Sequence, residues 1–507
     1  MMRYLFHILT INLLLLVGCK NDTDYSVDKN DSKIYTSFEK IESSHSNIDF
    51  INKITPSFDN KANLFDYDYF YNGSGVGVAD FNNDGLKDII LSANQTNNKI
   101  YINKGDLIFE DITLGANINE NKKWSSGVAI ADVNNDGWMD IYISQGGPNS
   151  ASDRKNLLYI NQKDLTFKEQ ASEYGLADQG ISTQSAFFDF DKDGDLDCLV
   201  MNENSYYGID PLQFYTILKD KEKLKLNSSQ LYEQVNGKFI NITEKAGLLK
   251  PSFGLGLCIS DINNDNWLDI YIANDYYVPD AMYINNKDGT FSDKIKQNTK
   301  QVSFFGMGVD IADVNNDNLK DIFVLDMASS DHVRSKTLMA SMSVSNFDLL
   351  TKKLNLPYQY MFNSLQLNMG DSKFHNIAQV SGLSKTDWSW AGLIFDYNND
   401  SNEDIYITNG YRKYASDNDS RIKINKIKQQ YNNRVPLKIK EDLYNMLPSE
   451  KLANILYENN GTLKFNDVTS YSDLNQPSYS NGAAYADLDN DGDLDLVINN
   501  IDQEAFL

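Results

Sequence analysis

Seven times the chain writes a nine-residue loop of the form D-x-[D/N]-x-D-x-x-x-D, and each copy runs directly into an aliphatic stretch. The copies begin at Asp80, Asp132, Asp189, Asp261, Asp313, Asp396 and Asp487. Whatever fold the chain adopts must therefore present seven equivalent acidic turns. A hard cation gives this spacing a chemical reason: Ca²⁺ takes six to eight oxygens at about 2.3–2.6 Å, and side chains at loop positions 1, 3, 5 and 9 plus the carbonyl at position 7 can converge to supply them.

On this basis the first loop offers Asp80, Asn82, Asp84, Asp88 and the carbonyl of Leu86, and the second Asp132, Asn134, Asp136, Asp140 and the carbonyl of Trp138. The third offers Asp189, Asp191, Asp193, Asp197 and the carbonyl of Asp195, and the fourth Asp261, Asn263, Asp265, Asp269 and that of Trp267. The fifth offers Asp313, Asn315, Asp317, Asp321 and the carbonyl of Leu319, and the sixth Asp396, Asn398, Asp400, Asp404 and that of Asn402. The seventh offers Asp487, Asp489, Asp491, Asp495 and the carbonyl of Asp493. Up to seven Ca²⁺ are expected. Position 6 must turn sharply, which favours Gly or Asn. It is Gly85, Gly137, Gly194, Asn266, Asn318 and Gly492, whereas Ser401 departs and makes the sixth loop the weakest candidate.

The rival calcium motif, the EF-hand, needs a bidentate Glu at position 12 and a helix after it. Position 12 is here Leu91, Ile143, Val200, Ile272, Val324, Ile407 and Ile498. The residues after position 9 are β-type, as in Asp140-Ile141-Tyr142-Ile143, so the loops join strand to strand.

Net charge is −25, and the side-chain donor positions, from five loops with three Asp and two with four, hold 23 of the 71 acidic residues. Much of the acidity is site chemistry, and the balance argues against binding a phosphate backbone, so nucleic acid is not an expected partner. At the amino terminus Arg3, an apolar run and Leu16-Val17-Gly18-Cys19 resemble a bacterial lipobox, with a signal peptide over 1–18, a lipid on Cys19 and a polar tether over 19–35. An ordinary signal peptide with a chance Cys is the alternative. The acidic residues just after Cys19 resemble the surface-export signals of some lipoproteins. Cys198 and Cys258 lie in strand-like apolar runs and read as buried free thiols, with a disulfide as the other reading.

Each loop sits in a longer repeat. Gly recurs five residues before the first Asp (Gly75, Gly127, Gly256, Gly308, Gly482), and an aromatic eight before it (Trp124, Phe253, Phe305, Trp388, Tyr479). Downstream come a strand ending in Asn, as at Asn103 and Asn285, and a strand led by Phe109, Phe167, Phe239, Phe291, Phe374 or Phe465. Four strands per unit is the pattern of a propeller blade. On these residues the chain resembles the FG-GAP/VCBS repeats of integrin α N-terminal propellers and of bacterial lipoproteins associated with ASPIC/UnbV domains. The resemblance implies an all-β, seven-bladed β-propeller over 36–507, with Ca²⁺ between strands 1 and 2 of each blade. The seventh loop has no Phe-led strand after it, whereas Phe38-Glu39-Lys40-Ile41 matches one, so residues 36–42 are predicted to close the last blade. The stop at Leu507 inside a strand reads as a fragment of a longer protein.

The long insertions follow strand 2: Ser205 to Leu231, and stretches over 327–363 and 410–455, the last with helices predicted over 422–431 and 438–457. They decorate the face opposite the loops, where Tyr276, Tyr277, Tyr411, Arg412 and Tyr414 are candidates for stacking on a sugar or a protein; packing the insertions onto the sheets is the other role open to them. A non-catalytic, surface-anchored adhesion module in the outer membrane, binding glycan or surface protein, is the expectation. The alternative is a polysaccharide lyase using Tyr411, Arg412 and His332, and a third possibility is a place beside an outer-membrane import complex. No zinc-type spacing and no GxSxG elbow is present.

Overall fold

A computed structural model describes residues 38–118, 124–338, 343–432 and 434–507. The expected signal peptide, Cys19, the tether and residues 36 and 37 of the expected closing strand lie outside the described residues.

Six antiparallel four-stranded sheets follow one another, each a simple meander. Sheet 1 comprises Val76–Ala79, Asp88–Leu91, Lys99–Asn103 and Phe109–Asp111, and sheet 2 Ser125–Ala131, Asp140–Gln145, Leu157–Asn161 and Phe167–Glu169. Sheet 3 is Ile181–Phe188, Asp197–Glu203, Gln230–Val235 and Lys238–Asn241, and sheet 4 Gly254–Ser260, Asp269–Asn274, Ala281–Asn285 and Phe291–Asp293. Sheet 5 is Val309–Ala312, Asp321–Val324, Ser364–Asn368 and Phe374–Asn376, and sheet 6 Ser389–Phe395, Asp404–Asn409, Ile455–Asn459 and Phe465–Asp467. Sheet 7 is the hairpin Ser480–Ala486 and Asp495–Asn500, extended by a bridge between Ile498 and Phe506. The fold is all-β and propeller-like, with its longer helices confined to the insertions.

Second strands such as Asp140–Gln145 are buried along their whole length, because each sheet is covered on both faces and its β-branched and aromatic side chains find partners on either side. Ile90, Ile100 and Ile102 of sheet 1 pack against Ile141, Ile143 and Tyr159 of sheet 2. Leu199, Leu231, Ile270 and Ile272 do the same between sheets 3 and 4. The first strand of every sheet touches the first strand of the next, and that of sheet 7 touches that of sheet 1. Their approach explains the recurrent glycine. A Cβ on Gly308 would lie 2.0 Å from the backbone oxygen of Trp390, and one on Gly482 2.5 Å from that of Ser74. The first strands surround an axial cavity of about 240 Å³.

The amino-terminal segment reaches the last sheet. The Ile41 amide donates to the Leu507 carbonyl at 2.9 Å, and that of Asp473 to the Phe38 carbonyl at 3.0 Å. Ile48 and Phe50 then pack with Leu488 and Val497 of sheet 7 and with Ile89 and Leu91 of sheet 1. The pairing is narrower than a full strand, since helix Ser43–Ser46 begins directly after it.

The insertions carry helices Pro211–Ile217, Lys221–Lys225, Asn418–Gln430 and Leu437–Asn445. The second helix of the last insertion ends at Asn445, well short of the expected 457: Pro448 comes soon after, and Ile455–Asn459 is needed as the third strand of sheet 6. Cys198 is buried, Cys258 is partly buried, and both are free thiols.

Candidate metal loops

In all seven repeats the ninth-position Asp pairs with the last residue of strand 1: Ala79 with Asp88, Ala131 with Asp140, Phe188 with Asp197, Ser260 with Asp269, Ala312 with Asp321, Phe395 with Asp404, and Ala486 with Asp495. The acidic turns, numbered loops 1 to 7 in chain order, are thus the same hairpin connection in the same register. In loop 1 the Asp80 carboxylate accepts the amides of Asp84 at 3.1 Å and Gly85 at 2.8 Å. Asn82 Oδ1 accepts the Asp84 amide at 3.0 Å, and Asp84 Oδ1 the Leu86 amide at 2.9 Å. Asp88 Oδ2 accepts the Phe81 amide at 2.8 Å. Folding the turn thereby ties the side chains of positions 1, 3, 5 and 9 to the loop's own amides. Loops 2, 4 and 5 repeat the set, whereas in loop 3 Asp189 Oδ1 takes the Lys192 amide instead, at 2.6 Å.

The irregular sixth loop makes the same turn over positions 1 to 6, though Asp404 Oδ2 lacks the position-2 amide that the other ninth-position carboxylates accept. Asp396 accepts the amides of Asp400 at 3.0 Å and Ser401 at 2.7 Å. Ser401 sits at φ 69°, the left-handed conformation taken at this position by Gly85 at 92° and Asn318 at 67°. An L residue other than Gly, Asn or Asp meets strain there of about 1–2 kcal/mol. Ser401→Gly is therefore expected to stabilise the protein by about 1 kcal/mol in denaturant melts, and no gain would show that the strain is already relieved.

Converging carboxylates repel. The ninth-position Asp is pushed up by burial and by the acids at positions 1 and 5, to about 6 for Asp88 and Asp321 and to about 7 for Asp140, Asp269 and Asp404. Asp197 rises to about 7 and Asp495 to about 6, by burial and by the other acids of their loops. Where positions 1, 3, 5 and 9 are all Asp, three carboxylates bring oxygens within 4.8 Å of one another: Asp189, Asp191 and Asp197 in loop 3, and Asp487, Asp489 and Asp491 in loop 7. Asp195 Oδ1 and Asp404 Oδ2 are buried with no hydrogen-bond partner. An all-oxygen, multiply anionic donor set with orphaned oxygens fits a hard divalent cation.

The opposite face differs from expectation. Tyr277, Tyr411 and Tyr414 are buried, so these side chains are core packing and not an open stacking surface. The Tyr411 ring lies 3.9 Å from that of Trp388, parallel within 1°, and its hydroxyl donates to the Asp68 carbonyl. Tyr276 donates to Asp68 Oδ2 at 2.7 Å and Tyr277 to the Ile209 carbonyl at 2.9 Å. Tyr414 is held by Arg334 Nη2 at 2.9 Å. Arg412 pairs with Asp502 at 2.7 Å and donates to the Ile54 carbonyl. His332 is exposed.

What buries them is a segment that sequence reasoning missed. Residues 65–71, Phe-Asp-Tyr-Asp-Tyr-Phe-Tyr, lie among side chains from the insertions and from the loops that flank the strands, such as Trp124, Phe253, Tyr411 and Tyr444. Tyr67 donates to the Glu203 carboxylate, and Tyr69 to Asp275 Oδ2 at 3.0 Å. The alternation of aromatics with Asp was the available signal. Burial pushes Glu203 up to about 8, against the Tyr67 hydrogen bond and the Arg154 charge, and pushes Asp275 up to about 7. A carboxyl that keeps its proton when folded but loses it near pH 4.5 when unfolded stabilises the fold at low pH and loses that contribution as pH rises through its folded pKa. Stability is therefore expected to fall between pH 5 and 8.5, with Glu203 contributing on the order of 4 kcal/mol. Glu203→Gln should flatten the slope in melts at fixed Ca²⁺, and an unchanged slope would assign it to other groups.

The FG-GAP-like repeat family matches residues 80–143, 261–324 and 442–498. Each stretch ends on the aliphatic three residues past a ninth-position Asp: Ile143, Val324 and Ile498. Cartilage acidic protein 1 of Xenopus tropicalis is 26% identical over 202 residues, covering 40% of this chain and 28% of its own length. Its Homo sapiens counterpart is 25% identical over 203 residues, with the same two shares. The chain thus matches less than a third of the length of these curated relatives. Among solved structures, rhamnogalacturonan lyase YesW is 10% identical with a TM-score of 0.38, over 86% of this chain and 71% of that one. The V. cholerae biofilm matrix protein Bap1 is 15% identical with a TM-score of 0.29, over 51% of this chain and 35% of that one.

Proposed function

We propose that this chain, which carries FG-GAP-like repeats on a propeller-type scaffold, is a seven-bladed β-propeller stabilised by up to seven Ca²⁺. It acts as a non-catalytic adhesion or binding module for a glycan or a surface protein, held in the outer membrane by a lipid on Cys19. The observation that carries the reading is the sevenfold recurrence of one hairpin register around the same acidic positions, with carboxylate oxygens drawn together in loops 3 and 7. The unbroken succession of first-strand contacts, returning from sheet 7 to sheet 1, supports the seven blades. Bound Ca²⁺ would supply charge neutralisation; the loops themselves supply positioned carboxylates and a turn prearranged by its own amides.

Recognition falls to the insertion face, where Leu212, Val344, Tyr358 and Leu437 are exposed on a rigid base. Two of the three side chains that a lyase would have used are occupied: Tyr411 is buried, and Arg412 is engaged by Asp502 and the Ile54 carbonyl. That favours binding without turnover. The deciding experiment pairs a glycan array with incubation on a panel of anionic polysaccharides. Array signal without turnover supports the binding module, and growth of the absorbance band of unsaturated products would replace it with a lyase. Co-purification from membranes would reveal a protein partner such as an outer-membrane import complex.

A further inference from the structure

The asparagine that ends the third strand in sheets 1, 2, 4, 5 and 6 does more than finish the strand. Its backbone N–H holds the ninth-position carboxylate of its own loop, while its side-chain Nδ2 donates to the position-2 carbonyl of the preceding loop. The amide of that same position-2 residue holds the preceding loop's ninth-position carboxylate. Successive carboxylates are thereby joined through one side chain and one backbone residue. From loop 2, Asp140 Oδ1 accepts the Asn161 amide at 2.8 Å, Asn161 Nδ2 reaches the Phe81 carbonyl at 2.9 Å, and the Phe81 amide donates to Asp88 at 2.8 Å. Asp88 Oδ1 then accepts the Asn103 amide at 2.8 Å, Asn103 Nδ2 reaches Leu488 at 2.7 Å, and the Leu488 amide holds Asp495 at 2.9 Å.

A second run begins at loop 6. Asn459 links Asp404 to Val314 of loop 5 at 2.8 Å, Asn368 links Asp321 to Ile262 of loop 4 at 3.4 Å, and Asn285 links Asp269 to Phe190 of loop 3 at 2.8 Å. There the run stops. Gln234 takes the asparagine's place: its amide holds Asp197 at 2.9 Å, but its Nε2 donates only to Leu196 of its own loop, at 3.0 Å. Among the described residues nothing joins Asp197 to Val133 of loop 2.

A separate set of contacts joins four of the same neighbouring pairs, and it too is missing between loops 2 and 3. The position-4 asparagine of one loop donates to the position-6 carbonyl of the next: Asn490 to Gly85 at 3.2 Å, Asn83 to Gly137 at 3.1 Å, Asn264 to Asn318 at 2.8 Å, and Asn316 to Ser401 at 3.0 Å. Loop 3 has Lys192 there, whose ammonium lies 4.8 Å from the Trp267 ring centroid of loop 4.

We infer that the loops take up divalent cations in coupled arcs that break between loops 2 and 3, loop 2 being coupled to loops 1 and 7 and loops 3 to 6 to one another, with the third-strand asparagines as the coupling residues. The inference rests on the calcium reading above. A cation that fixes one ninth-position carboxylate also fixes the amide, the asparagine and the peptide that hold the next, so the second ion orders less of the chain.

The sequence supplies a reporter in each arc: Trp138 at position 7 of loop 2 and Trp267 at position 7 of loop 4. Terbium(III) emission sensitised by each indole is titrated in proteins where the other is replaced by Phe. Asp84→Ala in loop 1 is expected to weaken the Trp138-reported midpoint by about fivefold or more, the lower end of ordinary coupling between sites. The Trp267 midpoint should stay within about twofold, as for independent sites, and this also shows that the variant is folded. Asp317→Ala in loop 5 should do the converse, and adding Asn161→Ala to Asp84→Ala should free Trp138 from loop 1. Both reporters moving together, or neither moving, overturns the arcs while leaving the calcium reading intact. Failure of the unsubstituted protein to give sensitised emission, or of Ca²⁺ to displace terbium, would remove that reading itself.

Discussion

Chelating divalent cations from the purified protein is expected to lower its melting temperature by roughly 10 °C, and restored Ca²⁺ to recover it. At ~1 mM Ca²⁺ and a Kd of ~0.1 mM, each site adds about 1.4 kcal/mol, so seven together add about 10 kcal/mol, comparable to the whole stability of an ordinary domain. A chain of this length unfolds with an entropy on the order of 1 kcal/mol per kelvin, which converts that sum to the stated shift. The direction comes from the loops themselves. Without a counter-ion the acids of each loop repel, as the raised ninth-position carboxylates already register. Scanning calorimetry with and without EGTA is the measurement, and an unmoved transition would take calcium out of the account of stability.

Gly308→Ala is expected to be among the most damaging single changes, costing about 4 kcal/mol or preventing folding. The new methyl would stand 2.0 Å from the Trp390 carbonyl oxygen, a backbone atom with no freedom to yield alone. Relief would require the first strands of sheets 5 and 6 to part, which opens the interior they share. Gly85→Ala is the informative contrast. Its Cβ meets nothing within 4 Å, but its φ is 92°, so the cost is conformational, about 1 kcal/mol. Urea melts of the two variants separate crowding from backbone strain, and equal losses would contradict the close-approach explanation of the recurrent glycine.

The repeat was legible because each of its parts answers a local demand. Acid spacing answers to a turn whose amides bond its own carboxylates, Gly or Asn at position 6 to a left-handed turn, and Ile-Tyr-Ile after position 9 to a strand covered on both sides. Long-range partners were not legible. Asn161 looks like any strand-ending Asn until its side chain is seen to reach Phe81, 80 positions away in the chain. Tyr276 and Tyr411 look like surface aromatics because the segment that covers them, residues 65–71, lies far off in sequence and carries no repeat of its own. Ser401 was discounted on residue type alone, whereas the amides of its loop impose the turn regardless.

The pairing of Lys40 with Asp473, separated by 433 positions, has a consequence for biosynthesis. Sheets 1 to 6 are built from neighbours in the chain and can form as each emerges from the ribosome, but the contacts of Phe38 and Ile41 with Asp473 and Leu507 join positions more than 400 apart. Until then the face of sheet 1 that carries Ile89, Leu91 and Tyr101 lacks its partners Leu488 and Val497, which leaves apolar surface prone to sticking to other chains. Export before folding, or a holdase chaperone that shields that surface, would be the natural remedy for a protein assembled in this order.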